Sequence, residues 1–138
     1  MKILEIKTKK RLIGDTGEAI AKKYLKKQGY KILKTNYVAL GNEIDIISEK
    51  DGTVAFIEVK TRSFGKENPS EPRPSSSVTP DKQRKIINAA KFYAKYNANG
   101  KALRLDVIEI LLDGKDTKEI NHIEGAFNIN TAFGTGKQ

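Results

Sequence analysis

The chain has 138 residues, of which 38% are hydrophobic, and this length and composition predict one folded domain. It contains no cysteine, which excludes disulfide frameworks and thiolate zinc sites. Its single histidine, His122, makes a histidine-rich metal site or a serine–histidine–aspartate triad difficult to build. Any catalysis is therefore left to carboxylates, lysines and a hard metal ion.

The charge balance is basic, with 26 lysines and arginines against 17 aspartates and glutamates, a net charge of +9. Such a surface favours a polyanion, because neutralised phosphates release counterions, so we expect a nucleic-acid partner; the alternative is that the charge only serves solubility. The first 14 residues lack the apolar stretch of about 7–15 residues found in signal peptides. No run approaches the roughly 20 apolar residues of a membrane span. The sequence predicts a cytoplasmic protein without a membrane segment.

The first periodic segment, IGDTGEAIAKKYLKKQGY, has apolar residues at spacings of three and four with lysines between them, which predicts an amphipathic helix. The helix begins near Lys9 or only after Asp15, and Gly29 ends it because glycine accepts a left-handed C-terminal cap. Asp51-Gly52 is typical of a tight hairpin turn. An antiparallel meander of three strands is therefore expected after the helix, at 30–37, 43–48 and 53–61.

Residues 63–77 are rich in proline, serine and charge, and we interpret them as a mobile loop that could grip a ligand. Thr79 as N-cap and Pro80 in the first turn predict a second helix, which ends at Asn99-Gly100. A strand is predicted at 103–112 and a further short one at 120–123, before a frayed tail at 131–138. The order α-β-β-β-α-β indicates a single α/β domain spanning 1–138, a mixed sheet with helices packed on its faces.

The clearest strand carries charge where an interior strand should be apolar. Because side chains alternate, Phe56, Glu58 and Lys60 share one face, and Ile57 and Val59 lie on the other. In the hairpin partner, Asp45 is flanked by Ile44 and Ile46, which are expected to face away from it. Charges in such strands are costly unless they are paired or coordinate something. Two carboxylates and a lysine could hold a divalent cation and a phosphate; the alternative is a structural ion pair of Lys60 with Glu58 or Asp45 on a solvated sheet face.

Asp45, followed after a hairpin by Glu58-Val59-Lys60, resembles the PD-(D/E)XK motif of restriction-endonuclease-like nucleases. The chain more widely resembles one group among them, the YraN-type family of uncharacterised bacterial proteins. The resembling segments cover most of the chain in the expected order: GDTGEAIAKKYLKKQGYKIL at 14–33, NEIDII at 42–47, FIEVKTR at 56–62, VTPDKQRKIINAAKFY at 78–93, RLDVIEI at 104–110 and HIEGAF at 122–127.

The resemblance implies a nuclease core with the order α-β-β-β-α-β and a Mg²⁺-dependent endonuclease, with Mn²⁺ as the other candidate cation, acting on DNA that includes branched or structured forms. It implies that Asp45 and Glu58 bind the metal together with the carbonyl of Val59, and that Lys60 orients or activates the attacking water. The family is also similar to archaeal Holliday-junction resolvases, which have an acidic residue on the first helix. That position is Glu18, which would complete the catalytic set. Carboxylate and carbonyl oxygens are the ligands that Mg²⁺ prefers.

Several of these residues have a second interpretation. Glu18 with Asp15 also fits a capping box at a helix start. Glu43 is either a secondary ligand or part of an ion pair, Asp106 with Arg104 is interpreted as a buried structural pair, and His122 as structural. Nucleic-acid contacts are predicted for four further residues, with solvated surface positions as the alternative: Thr61, Arg62, Lys82 and Gln83.

Two other functions remain open at this point. One is a nucleic-acid-binding module that keeps the fold without catalysis. The other is a basic scaffold protein in which Glu58 and Lys60 form only an ion pair within the sheet. Divalent-metal affinity separates the nuclease from the scaffold, and metal-dependent strand cleavage separates it from the binding module. The sequence leaves the oligomeric state open, including a homodimer.

Overall fold

The computed structural model describes residues 8–65 and 78–129, apart from the side chain of Lys10. Two helices and five strands follow one another along the chain: α1 Lys9–Lys27, β1 Lys31–Ala39, β2 Asn42–Lys50, β3 Thr53–Ser63, α2 Pro80–Asn97, β4 Ala102–Asp113 and β5 Asp116–Phe127. The predicted α/β fold and element order are confirmed, and the further strand predicted near the end of the chain is β5. Neither helix is both long and apolar enough to cross a membrane, within the part of the chain that is described.

The five strands form one mixed sheet in the order β1-β2-β3-β4-β5. Strands β1, β2 and β3 are an antiparallel meander, β3 and β4 are parallel, and β5 returns antiparallel to β4. The crossover through α2 is what permits the parallel pair. Strand β3 pairs with β2 on one side and with β4 on the other. Its central residues are therefore shielded from solvent by these strands as well as by the helices.

Each face of the sheet carries its own apolar core. Val54 and Phe56 of β3 pack into the cluster that contains Ile87 of α2. Ala55 and Ile57, which alternate with them, pack into the cluster that contains Leu25 of α1. The strict alternation of β3 thus divides one strand between two cores, which is the arrangement of a sheet between two helix layers.

The helix starts settle one question that the sequence left open. The Thr8 hydroxyl accepts a hydrogen bond from the Arg11 N–H at 3.1 Å, so α1 begins at Lys9. Asp15 and Glu18 therefore lie inside the helix, and the capping-box interpretation is wrong, because a capping box needs its glutamate at the third helical position. At the other helix, Thr79 accepts from the Lys82 N–H at 3.1 Å and Pro80 is in the first turn, as predicted.

Several predicted strand ends are wrong by one or two residues, and the last strand by more. Strand β3 continues to Ser63, so the loop predicted at 63–77 cannot begin at Ser63. Residues 66–77 of that predicted loop and the predicted frayed tail at 131–138 lie outside the described residues. Strand β5 spans Asp116–Phe127 rather than the short 120–123 segment. Its first four residues are polar and exposed, so they lack the alternation of apolar residues from which a strand is predicted. Their strand conformation comes from pairing with β4.

Helix α1 crosses β3 closely at a glycine. A Cβ built at Gly17 would lie 2.9 Å from both Cβ and Cγ2 of Thr61, and its nearest contact would be the Thr61 hydroxyl. Gly17 is therefore required by packing rather than by backbone conformation. The side chain of Thr61 packs against α1 at this point.

Gly17→Ala is expected to lower the free energy of unfolding by up to about 2 kcal/mol, because an overpacking cost of about 1–3 kcal/mol is offset by a gain in helix propensity of only about 1 kcal/mol. Gly14→Ala in the same helix is the matched control, since nothing lies within 4 Å of its Cβ, and it should not destabilise. Thr61→Ala should partly rescue Gly17→Ala in a double-mutant cycle measured by urea unfolding. Additive effects would contradict this packing between the two residues.

Candidate functional site

Strands β2 and β3 separate at the position of Asp45. Their ladder runs from Lys50 opposite Thr53 to Ile46 opposite Ile57 and ends there, although both strands continue. Beyond this point the Asp45 carboxylate, rather than a strand carbonyl, accepts the Val59 N–H at 2.8 Å. The aspartate thus satisfies a backbone donor that the separation of the strands has released.

The side-chain alternation of β2 breaks at Asp45. Ile44 packs into the core on the α2 side and Ile46 into the core on the α1 side, so the expectation that both face away from Asp45 together is wrong. Opposite Asp45, between the paired residues of β1, Asn36 has a positive φ of 50°. Asparagine tolerates this conformation better than most residues. The irregularity leaves Asp45 between the two cores.

The carboxamide of Asn36 bridges two more carboxylates. Its Nδ2 donates to Glu43 of β2 at 2.9 Å and to Glu18 of α1 at 3.3 Å. The pKa of Glu18 is raised, chiefly by burial and partly by repulsion from Glu43 and Asp15, while the hydrogen bond from Asn36 opposes the rise. Asn36 therefore links α1 to the meander at the same end of the hairpin as Asp45.

Of these carboxylates, Asp45 has the most strongly shifted pKa. Burial and then repulsion by Glu58 raise its pKa to about 7; the Val59 N–H opposes the rise, and Glu18 and Glu43 add to it. Among the described side chains, no lysine or arginine nitrogen lies within 4 Å of Asp45. Four acidic residues from α1, β2 and β3 thus act on one another here, and we call Glu18, Glu43, Asp45 and Glu58 the carboxylate cluster.

Two lysines neutralise only one side of the carboxylate cluster. Oε2 of Glu58 lies 3.3 Å from Nζ of Lys60 and 3.6 Å from Nζ of Lys82 at the start of α2. The Glu58 side chain is 9% exposed, whereas those of Lys60 and Lys82 are 31% and 48% exposed. Both ammonium groups can therefore reach solvent, where a phosphate would approach. The Glu58–Lys60 ion pair exists, but it leaves Asp45 without a cation.

The other predicted nucleic-acid contacts are distributed differently. Lys82 lies beside Glu58 of the cluster. Gln83 instead donates a hydrogen bond to the Val78 carbonyl at 2.9 Å and stabilises the start of α2. Thr61 packs against α1, and Arg62 is half-buried near the end of β3. The structure thus brings Glu18, Asp45, Glu58, Lys60 and Lys82 together, and it gives Thr61 and Gln83 structural contacts.

Sequence reasoning missed a groove beside the carboxylate cluster. This groove, about 680 Å³ in volume, is lined by the first turns of α1 and by the meander, namely Thr8, Arg11, Gly14, Asp15, Glu18, Asn36 and Glu43. Glu18 and Glu43 belong to both the groove and the cluster, and Asn36 is hydrogen-bonded to both of them. The only signal for Asn36 was an asparagine in the middle of a strand pattern, which by itself indicates no function.

The donor set of the cluster suits a hard cation. All its side-chain donors are carboxylate oxygens, and the raised pKa of Asp45 reflects negative charge that a cation would offset. Within 8–65 and 78–129, however, no group of three or more histidine, aspartate or glutamate side chains is already placed to hold a metal ion. The carboxylates thus fit Mg²⁺ in chemistry and charge.

The predicted structural pair is confirmed on the α1 face of the sheet. Asp106 is 1% exposed and accepts two hydrogen bonds from Arg104, both at 2.9 Å. It also binds His122 Nε2 at 2.8 Å and accepts the Gly125 N–H at 3.0 Å. The side chain of His122 is 6% exposed, and through this bond to Asp106 it has the structural role that the sequence predicted.

Comparison with known proteins supports the resemblance to the YraN-type family of uncharacterised bacterial proteins. The model of the uncharacterised protein family UPF0102 matches residues 17–110. A UPF0102 protein of Chlorobaculum parvum is 47% identical over 124 residues, covering 85% of this chain and 92% of the relative. One from Clostridium perfringens is 45% identical over 125 residues, covering 85% and 94%.

Among solved structures, an fdxN element excision controlling factor protein from Anabaena variabilis has 19% identity and a TM-score of 0.39, with 77% of this chain and 98% of that one covered. An XisH family protein from Nostoc punctiforme has 16% identity and a TM-score of 0.37, with the same coverage. Similarity at this level carries no argument about function. The family match and the two bacterial relatives do decide the family: this chain belongs to the uncharacterised protein family UPF0102.

Proposed function

We propose that this UPF0102 protein is a metal-dependent nuclease that hydrolyses phosphodiester bonds in DNA, including branched or structured DNA, on a restriction-endonuclease-like fold. One observation carries the proposal. Asp45 is a half-buried carboxylate without a cationic partner among the described side chains, placed where β2 and β3 separate and next to Glu58, whose charge raises its pKa. A carboxylate with only a structural role would be expected to have a cationic partner or several hydrogen-bond donors.

Three carboxylates of the cluster and the neighbouring lysines have roles in this mechanism. Asp45, Glu58 and the Val59 carbonyl would hold Mg²⁺ or Mn²⁺. When bound, the cation would lower the pKa of a water and neutralise charge on the phosphate. Lys60 would orient the attacking water and, with Lys82, supply positive charge to the scissile phosphate. Glu18, held by Asn36, would add negative charge to the cation site.

The basic charge of the chain supports the choice of substrate. A net charge of +9 favours a phosphate backbone, and the half-exposed Lys60 and the exposed Lys82 lie beside the buried Glu58. A carboxylate site alone would repel phosphate. Partial neutralisation of Glu58 by two lysines is therefore what allows a polyanion to approach the cluster.

The direct test is cleavage of single-stranded, duplex and four-way-junction DNA and of RNA, with Mg²⁺ or Mn²⁺ and with EDTA as control. Asp45→Asn should reduce metal-dependent cleavage by roughly a hundredfold or more, since losing a charged ligand costs more than the ~10–100-fold loss typical of an outer-shell partner. DNA binding should be retained. Lys60→Ala should also stop turnover yet leave metal binding measurable by calorimetry.

Asp113→Asn is the matched control for charge, because Asp113 is exposed at the β4–β5 turn. It should cleave like the unaltered protein. Cleavage that persists in EDTA, or that Asp45→Asn leaves unchanged, would refute the proposed site.

A second candidate is a nucleic-acid-binding protein without catalysis. The observation in its favour is that, within the described residues, no group of three side chains is ready to hold a metal. It predicts salt-dependent DNA binding with no cleavage of any substrate in the screen. The same experiment therefore separates the two candidates.

A further inference from the structure

Helix α2 presents two aromatic rings to solvent. The residues Phe92 and Tyr96 are 42% and 66% exposed, and their ring centroids lie 5.5 Å apart with an interplanar angle of 66°. They are four positions apart and therefore neighbours on one helix face. Tyr93, between them in sequence, is buried against Tyr37 and Phe56 instead. The exposed rings are thus additional to those that hold α2 to the sheet.

The helix that carries these rings is cationic. Helix α2 contains the cationic residues Lys82, Arg84, Lys85, Lys91 and Lys95, against one acidic residue, Asp81. Nζ of Lys95 lies 5.5 Å from the centroid of the Tyr96 ring. Aromatic rings among lysines are the combination with which proteins bind single-stranded nucleic acid, where bases stack and phosphates meet ammonium groups.

The helix connects this surface to the carboxylate cluster. Lys82, in its first turn, lies 3.6 Å from Glu58. Phe92 is ten residues further on, so at about 1.5 Å per residue it lies about 15 Å along the helix axis from Lys82. At about 3.4 Å per stacked nucleotide this corresponds to four or five nucleotides. A strand that enters the cluster could therefore reach the rings.

We propose that Phe92 and Tyr96 form a stacking surface for unpaired bases, and hence that the substrate includes a single-stranded arm. This rests on the proposed nucleic-acid substrate but does not require catalysis. A second copy of the chain fits less well, because two partly exposed rings offer about 200 Å², far below the roughly 800 Å² that each partner buries in a stable interface. Two facing α2 helices would also bring like charges together.

The experiment measures binding to a fluorescent single-stranded oligonucleotide and to a duplex of equal length, in EDTA so that cleavage plays no part. The double variant Phe92→Leu/Tyr96→Leu keeps apolar, helix-compatible side chains but removes the rings. It should bind the single strand at least tenfold more weakly and the duplex within about twofold of the unaltered protein. The slope of log affinity against log salt should not change, since the variant keeps every lysine and arginine that neutralises a phosphate.

The matched control is Lys85→Gln/Lys95→Gln, which keeps the rings and removes two cations. It should reduce the salt slope on single strands by about 0.7 for each phosphate that these lysines neutralise in the unaltered protein. Thermal melts should show both double variants folded, because all four side chains are exposed.

Three results would overturn the inference: no single-strand binding by the unaltered protein, equal losses on single strand and duplex, or a dimer that the leucine variant converts to monomer in sedimentation. The inference and the nuclease proposal can fail separately. Ring-dependent binding without cleavage of any substrate supports the stacking surface and refutes the nuclease. Cleavage that the leucine substitutions affect equally on single strands and duplexes refutes only the stacking surface.

Discussion

Asp45→Asn, freed of metal, is expected to be more stable than the unaltered protein at pH 8, by up to about 4 kcal/mol. The pKa of Asp45 is raised from an ordinary 3.8 to about 7, first by burial and then by repulsion from Glu58, and each pKa unit corresponds to about 1.36 kcal/mol. Because the folded form holds its proton more tightly, ionisation of Asp45 costs stability as pH rises from about 4 to about 7. Asparagine keeps the acceptor for the Val59 N–H and removes the charge.

Urea unfolding in EDTA at pH values from 4 to 8 checks this expectation. The two proteins should differ by less than about 1 kcal/mol near pH 4, where Asp45 is protonated in the folded chain and about half-protonated in the unfolded one, and they should diverge up to about pH 7. Asp113→Asn, the exposed control, should follow the unaltered protein throughout.

Adding Mg²⁺ at pH 8 should then stabilise the unaltered protein and not Asp45→Asn, because a ligand of the folded state adds RT ln(1 + [L]/Kd) to stability. Asp45→Asn that is less stable than the unaltered protein at pH 8 would instead show a structural role for the carboxylate, and the nuclease proposal would lose its main support.

Asp106→Ala is expected to lower the free energy of unfolding by about 3–5 kcal/mol, the usual cost of removing one partner of a buried ion pair. It leaves Arg104, His122 and the Gly125 N–H without their acceptor. Burial by itself would raise the pKa of Asp106, but hydrogen bonds from His122, Arg104 and Gly125 outweigh it and hold the pKa below its ordinary value. Its stabilisation is therefore present above about pH 4 and is lost as pH falls further.

Thermal melts at pH 7 should show a drop of roughly 10 °C or more for Asp106→Ala. The difference from the unaltered protein should shrink below pH 4. Because Asp106 serves the fold, DNA binding and cleavage per folded molecule should be unchanged at temperatures well below the transition. A normal melt with loss of cleavage would instead assign Asp106 to the active site.

Local interactions explain why much of this fold could be predicted from the sequence. Thr79-Pro80 starts α2, Gly29 with a φ of 94° follows the C-cap of α1, and Asp51-Gly52, with φ values of 52° and 81°, makes the β2–β3 hairpin. Each is decided by a few neighbouring residues and their preferred dihedral angles. The alternation in β3 likewise placed Glu58 and Lys60 on the same face, where they form an ion pair.

Contacts between distant segments account for what the sequence could not predict. The carboxylate cluster depends on the separation of β2 from β3, on the irregularity at Asn36 and on the approach of α1 at Gly17. None of these leaves a periodic signal, because each arises from how two elements meet. The same holds for Thr61, whose packing partner lies on α1, and for β5, whose four polar first residues form a strand only through pairing with β4. Residue types and alternation predict which groups a chain carries on each element, but distances between charges, and therefore the pKa of Asp45, exist only once the elements are packed.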